Sequence, residues 1–378
     1  MKLTRAILLA GALAACSEDQ DPSRQFLLSP SFASGDNVIG QVYTMTNSPA
    51  GNAVLAFNRA ADGSLTPAGS YSTGGTGTGA GLGNQGGVIL VGRWLAAVNA
   101  GSNDVSLFAV NGDGSLSLTD RVSSGGTTPI SVTISGNLLY ALNAGGNGNV
   151  SGFAISSSGD LSAVAGSTQP LSSPASGPAQ IEFTPRGDQL VVTEKATNLI
   201  STYAIGPTGA AAAPVSTNAS GSTPFGFGFT NSGFLVVSEA FGGAADASAV
   251  ASYDGENGGT WSVVSPSAFT TETAACWIVV TNSGRYAYTT NAGSGTVTGY
   301  AIHQGGLTLL DADGVTGNIG AGSGPADMAL SRDSKFLYAR AGGTNSIVVF
   351  SIGHDGSLTS IAGGASGLPA GWNGLAAR

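Results

Sequence analysis

Five stretches of this chain are near copies of one another: "LAAVNAGSNDVSLFAV", "LYALNAGGNGNVSGFAI", "LVVTEKATNLISTYAI", "YAYTTNAGSGTVTGYAI" and "FLYARAGGTNSIVVFSI". A repeat of this length constrains the fold more than any local pattern, because each unit must bury its apolar face against the next. Aligning on the residue that closes the second apolar run of each unit gives the column Asn47, Asn99, Asn143, Glu194, Glu239, Asn291 and Arg340, spaced 44 to 52 residues apart. Seven units are implied.

Each unit has the same parts in the same order. An apolar run such as "PAQIEFT", "PFGFGFT", "ACWIVVT" or "PADMALS" precedes a turn and a second β-rich run. A Gly/Asn/Ser loop leads to a third, alternating run ("SLFAV", "STYAI", "TGYAI"), and a hairpin leads to a short fourth. Asp113-Gly114 and Asp355-Gly356 mark such hairpins, since Asp and Gly tolerate the positive φ these turns require. No segment keeps a helical period. Four short antiparallel strands repeated seven times predict an all-β, seven-bladed β-propeller. The first unit lacks its opening run, and "GWNGLAAR" at the other end of the sequence supplies one. The C-terminal strand is therefore expected to complete the first blade and leave no unpaired edge. Residues 41–378 read as one domain.

Units such as "GPAQIEFTPRGDQLVVTEKATNLISTYAI" and "GPADMALSRDSKFLYARAGGTNSIVVFSIGHDGSLTSI" resemble the lactonase superfamily of seven-bladed propellers, which includes 6-phosphogluconolactonase and 3-carboxymuconate cyclase relatives. The resemblance implies lactone hydrolysis or cycloisomerisation as the enzymatic reading. Enzymes of that family open the fourth unit with Gly-Pro-Arg-His and keep a Glu at the end of the following strand. The matching positions here are Gly177, Pro178, Ala179 and Gln180, with Glu194 retained. The family's Arg and His are absent, which favours a ligand-binding propeller and leaves catalysis open.

The first residues, "MKLTRAILLAGALAAC", place Lys2 and Arg5 before a short apolar run and small residues before a cysteine, the pattern of an export signal. Leu13-Ala14-Ala15-Cys16 resembles the bacterial lipobox. That resemblance implies cleavage after residue 15, lipidation of Cys16 and, with Ser17 following, sorting to the outer membrane. Residues 16–40 read as the lipidated cysteine and a flexible tether. The expected location is the cell envelope, with the protein lipid-anchored and facing the periplasm or the cell surface. Lys plus Arg number 13 against 22 Asp plus Glu, a net charge of −9, so no basic surface offers itself to nucleic acid. Cys276, in the strand-like run "ACWIVV", reads as a small buried residue rather than a reactive thiol.

The candidate chemistry rests on the column. Glu194, Glu239 and Arg340 are its charged members and the candidate catalytic residues, expected to ring the central channel where the second strands end. Gln180, Trp277, Asp327 and Trp372 begin or lie in first strands and are expected to line the same funnel as ligand-binding residues. His303 and His354 fall at outer hairpins and read as surface turn residues. Sequence motifs for a Ser-His-Asp elbow, a zinc helix or a C-x-x-C pair are missing. The glycine-rich "STGGTGTGAGLGNQGG" (72–87) reads as a flexible connection between blades one and two, and the Asp-rich turns at 253–259 and 311–314 as turn chemistry, with Ca²⁺ as the alternative. No metal or cofactor is expected. The expected partners are a small molecule or a protein at the channel face, for a monomer that meets the membrane only through its anchor.

Overall fold

A computed structural model of the chain describes residues 38–255 and 258–378. Seven antiparallel sheets stand around a common axis, each with its first strand innermost. Blade 1 consists of Gly40–Met45, Ala53–Arg59 and Leu65–Ser72, and its innermost strand is Asn373–Ala377. Blade 2 runs through Val88–Val91, Trp94–Asn99, Asp104–Val110 and Leu116–Ser123, and the other five repeat that order. The predicted closure is present: Tyr43 pairs with Ala376 and Val42 with Ala377. The innermost strands touch one another in cyclic order, so the ring is complete. Among the described residues no helix is long and apolar enough to cross a membrane.

The strands owe their length to the alternation of the sequence, and their ends to Asp-Gly-Ser and related turns. Gly63, Gly114 and Gly356 take φ of 90°, 86° and 87°, which a side chain resists. In each turn the preceding Asp accepts hydrogen bonds from the backbone N–H and hydroxyl of the following Ser, which holds the hairpin shut.

These turns also join the blades. The Tyr338 hydroxyl of blade 7 donates to the Gly63 carbonyl of blade 1 at 3.0 Å, Tyr43 of blade 1 to Gly114 of blade 2 at 2.8 Å, and Tyr288 of blade 6 to Gly356 of blade 7 at 2.8 Å. Tyr140 of blade 3 makes the same bond to Gly209 of blade 4 at 2.6 Å. A positive-φ glycine turns its carbonyl toward the neighbouring sheet, and a buried tyrosine satisfies its hydroxyl there. The apolar core is accordingly divided into clusters lying between adjacent blades, such as Val42, Phe57, Tyr338 and Trp372 between blades 7 and 1.

Candidate functional site

An innermost strand has no partner on its channel side, so its backbone N–H and C=O groups need other partners. Side chains of the preceding blade supply several of them. Ser131 and Thr133 of blade 3 accept from the N–H groups of Ile181 and Phe183 in blade 4, both at 3.2 Å. Gln180 of blade 4 holds Phe227 of blade 5 at both ends of its amide, accepting from the N–H at 2.7 Å and donating to the carbonyl at 2.9 Å. Asp327 of blade 7 accepts from Leu375 N–H of blade 1 at 3.2 Å.

Blade 6 receives Ser238 of blade 5 on its Cys276 carbonyl at 2.6 Å, and its next residues are served by the glycine-rich connection. Gln85 donates to the Ile278 carbonyl at 2.6 Å and accepts from its N–H at 3.0 Å, while the Gln85 N–H bonds the Ala179 carbonyl of blade 4 at 3.1 Å. Asn84 donates to Ile130 of blade 3 and accepts from the Trp277 indole, and Lys195 caps the Gly83 carbonyl while lying over the Phe225 ring. Further back, Asn47 anchors Ala80. The stretch expected to be a flexible connection is thus a plug, tied to four blades across one end of the channel. Small residues permit it: a Cβ on Gly226 would lie 2.1 Å from Gln85 Oε1.

Beyond the plug, all seven innermost strands enclose a cavity of about 560 Å³. Exposure rises along these strands. Ala179, Phe225, Cys276 and Ala326 near their starts are buried, whereas Ser135, Thr184, Phe229, Val280, Leu330 and Ala377 near their ends are partly exposed. The cavity therefore opens at the face of the turns between first and second strands. That is the face opposite the one where the second strands end.

The column predicted from the repeat lies at the plugged end, and its side chains turn into the protein. Glu194 is fully buried and accepts hydrogen bonds from the N–H and hydroxyl of Ser172, from Thr197 at 3.2 Å and from Ser201 at 2.7 Å. Glu239 is equally buried, accepting from Gly221 N–H at 2.7 Å, Ser267 at 2.6 Å and Tyr253 at 3.3 Å. Burial raises the Glu239 pKa, and these bonds offset part of the rise. Both carboxylates occupy closed nests within their own blades, where the ring around an open funnel was expected. Arg340 is not in the column. Pro178 pairs with Glu194 and Pro224 with Glu239, but Pro325 pairs with Ala341. A one-residue slip sends a strand side chain to the other face of its sheet, and Arg340 accordingly stacks on Trp372, 4.6 Å from the ring centroid.

Of the residues expected to line the funnel, Gln180 and Asp327 line the cavity, while Trp277 supports the plug and Trp372 is fully buried beneath Arg340. Burial pushes the Asp327 carboxyl up to about 7, and the backbone N–H groups of Met328, Leu375 and Gly86 resist the rise. One cavity residue escapes the sequence reading. Glu182 sits two positions beyond Gln180, on the same face of its strand, with Oε2 accepting from Gln180 Nε2 at 2.9 Å. Its Oε1 has no partner among the described residues and is not enclosed, so it opens on the cavity. Desolvation raises this carboxyl to about 8, with the Gln180 bond pulling the other way. The signal was the two-residue period of "PAQIEFT", which puts Gln180 and Glu182 side by side. His303 and His354 are exposed at hairpins, as expected, and no cluster of potential metal ligands occurs among the described residues. Cys16, the signal and residues 16–37 of the tether reading lie outside the described residues, while Ile39 and Gly40 at the tether's end already pair with blade 1.

The model of a family described as lactonase, seven-bladed β-propeller, matches residues 42–174 and 249–367. The chain belongs to this lactonase family. No curated protein matches the sequence. Among solved structures, a proposed 6-phosphogluconolactonase of Bacteroides fragilis superposes with a TM-score of 0.70 at 19% identity, covering 93% of this chain and all of that one. A counterpart from Bacteroides uniformis gives 0.68 at 18% over 88% and 98% of the two chains. The periplasmic gluconolactonase of Pseudomonas aeruginosa gives 0.66 at 17%, also over 88% and 98%. At such identities these likenesses speak for the fold alone. The stretch of this lactonase-family propeller that the family model passes over, 175–248, contains Ala179, Gln180, Glu182, Glu194 and Glu239.

Proposed function

We propose that the chain is a cell-envelope lipoprotein whose lactonase-family propeller binds a small organic ligand in its central channel. The observation that carries this reading is the cavity itself: it is plugged at one end and open at the other, its wall mixes polar groups with apolar side chains, and it carries one carboxyl oxygen that no protein group occupies. A cleft of this size with a few convergent side-chain polar groups is a usual form of ligand site. The binding role is favoured over turnover because the cavity wall holds no Arg, Lys or His to stabilise a developing oxyanion or to hold a phosphate. The Gly-Pro-Arg-His motif of the family's enzymes is replaced by Gly177-Pro178-Ala179-Gln180.

A second reading, a divergent lactone hydrolase or muconate-type cycloisomerase, draws on one feature. Glu182 holds its proton into the neutral range, where a general acid or base operates best. A thermal-shift screen of small organic molecules on the full chain, run beside a lactone panel that includes 6-phosphogluconolactone, separates the two. Melting shifts with some ligands and no turnover of any lactone are expected. Turnover that disappears in Glu182→Gln while melting is preserved would establish the enzyme instead.

The anchor is tested apart from the ligand. With Cys16→Ala the protein is expected in soluble fractions or as uncleaved precursor, and mature protein that still sediments with membranes would refute lipidation at Cys16.

A further inference from the structure

We propose that the ligand of the channel is a small organic cation, an amine, whose ammonium group is received by Glu182 Oε1. This rests on the channel-binding reading above and names the class of molecule that suits it.

Ile89, Phe229, Val279 and Leu330 give the cavity wall its apolar patches, set among polar groups such as Thr133, Gln180 and Thr184. Glu182 and Asp327 are its ionisable groups. They differ in what remains available. Asp327 Oδ1 accepts from Met328 N–H at 2.9 Å and Oδ2 from Leu375 N–H at 3.2 Å, so both its oxygens are engaged, one of them in tying blade 7 to blade 1. Glu182 has one oxygen on Gln180, and the other opens on the channel. A carboxylate drawn partly out of water with no cation along the wall is unfavourable in its charged form, and burial pushes this group up to about 8. A ligand that brings a positive charge removes that penalty, and a charge-assisted bond is among the stronger polar contacts. A ligand carboxylate or phosphate would meet Glu182 with no basic group along the wall.

Positive charge does occur at the mouth. Arg186, Arg285, Arg332 and Lys335 lie in the exposed turns of the open face, with Asp188 and Asp333 among them. These groups are in water, where their influence fades within about 10 Å at ordinary ionic strength, so selection falls to the group at depth.

The test compares 2-phenylethylammonium, 2-phenylethanol and phenylacetate by calorimetry on the full chain. The expected result is binding of the amine about tenfold or more tighter than the alcohol, with the preference reduced to about threefold or less in Glu182→Gln. Equal binding of amine and alcohol, or tighter binding of phenylacetate, would overturn the proposal and leave the channel reading standing. So would silence from all three probes when the wider screen finds other ligands. Silence from the probes and the screen alike would remove both. A measurement on the wild type guards against a variant that does not fold. At pH 6 the amine should displace close to one proton from Glu182, seen as a binding heat that depends on the ionisation enthalpy of the buffer. No proton release would also overturn the proposal.

Discussion

Glu182 and Glu194 lie in the same blade, and their surroundings give them opposite tasks. Three hydroxyls and a backbone N–H close around Glu194, so its charge is spent on holding the loop that brings the chain from blade 3 into blade 4. Glu182 has one amide and a channel. The consequence is a dependence of stability on pH. The Glu182 carboxyl titrates near 4.5 in the unfolded chain and near 8 in the folded one. A raised folded pKa means that its stabilising contribution is complete below 4.5 and is lost as pH rises toward 8. Glu182→Gln cannot titrate and escapes this loss. The variant should therefore gain on the wild type by about 1–2 kcal/mol between pH 5 and pH 8, a fraction of the full shift because channel water reaches the carboxyl. Paired urea titrations across that range are the measurement, and a constant difference between the two proteins would show that Glu182 is already ionised at pH 5. Sequence alone did not separate the two glutamates. The repeat drew attention to Glu194 because it departs from an Asn column, whereas in the run that contains Glu182 only Gln180 stands out, at the position of the family's His.

At the scale of the element, the plug between blades 1 and 2 explains why the funnel does not open where the second strands end. Its composition misleads, because the glycines that would make a linker flexible are also what lets a backbone thread a crowded axis. Gly86 and Gly87 pass close to Ser131 and Asn373, and Gly226 leaves the space that the Gln85 amide fills. Nothing in "GNQGG" distinguishes the two uses, since the partners that hold it, Ala179, Ile278 and Ile130, come from three other blades. The register of Arg340 was hidden for a similar reason: "FLYARA" resembles "QLVVTE" equally well one residue out of step, and only the pairing of Pro325 with Ala341 decides it. Gln85→Ala tests the plug. It strips both backbone groups of Ile278 of their partner inside the channel, and each such loss costs about 1–3 kcal/mol. A destabilisation of about 2–4 kcal/mol in denaturant titration is expected. A loss below about 0.5 kcal/mol would mean that water replaces the amide and that the plug is not a structural part of the ring.

The ring as a whole was legible because its rule is repetition. Seven units of common length, each too small to bury its own faces, leave few arrangements besides a closed circle, and the missing first strand of the first unit indicated how the circle closes. Closure rests on the strand Asn373–Ala377. Thr44 fixes it by donating to the carbonyls of Asn373 and Gly374, the Arg59 guanidinium by donating to the Arg378 carbonyl, and the fully buried Trp372 by filling the space between blades 7 and 1. Independent of that strand, the Tyr338 hydroxyl reaches from blade 7 to the Gly63 carbonyl of blade 1. Deleting residues 371–378 separates the two latches. It removes the tryptophan, exposes the inner edge of Gly40–Met45 and takes Leu375 and its neighbours from the channel wall. Loss of the tryptophan side chain alone costs about 3–5 kcal/mol, and the bare edge invites pairing between molecules. Truncated protein is thus expected in inclusion bodies, or with a melting temperature lower by about 10 °C or more. If it remains soluble and melts with the full chain, the tyrosine ties between blades hold the circle and the C-terminal strand is dispensable to it.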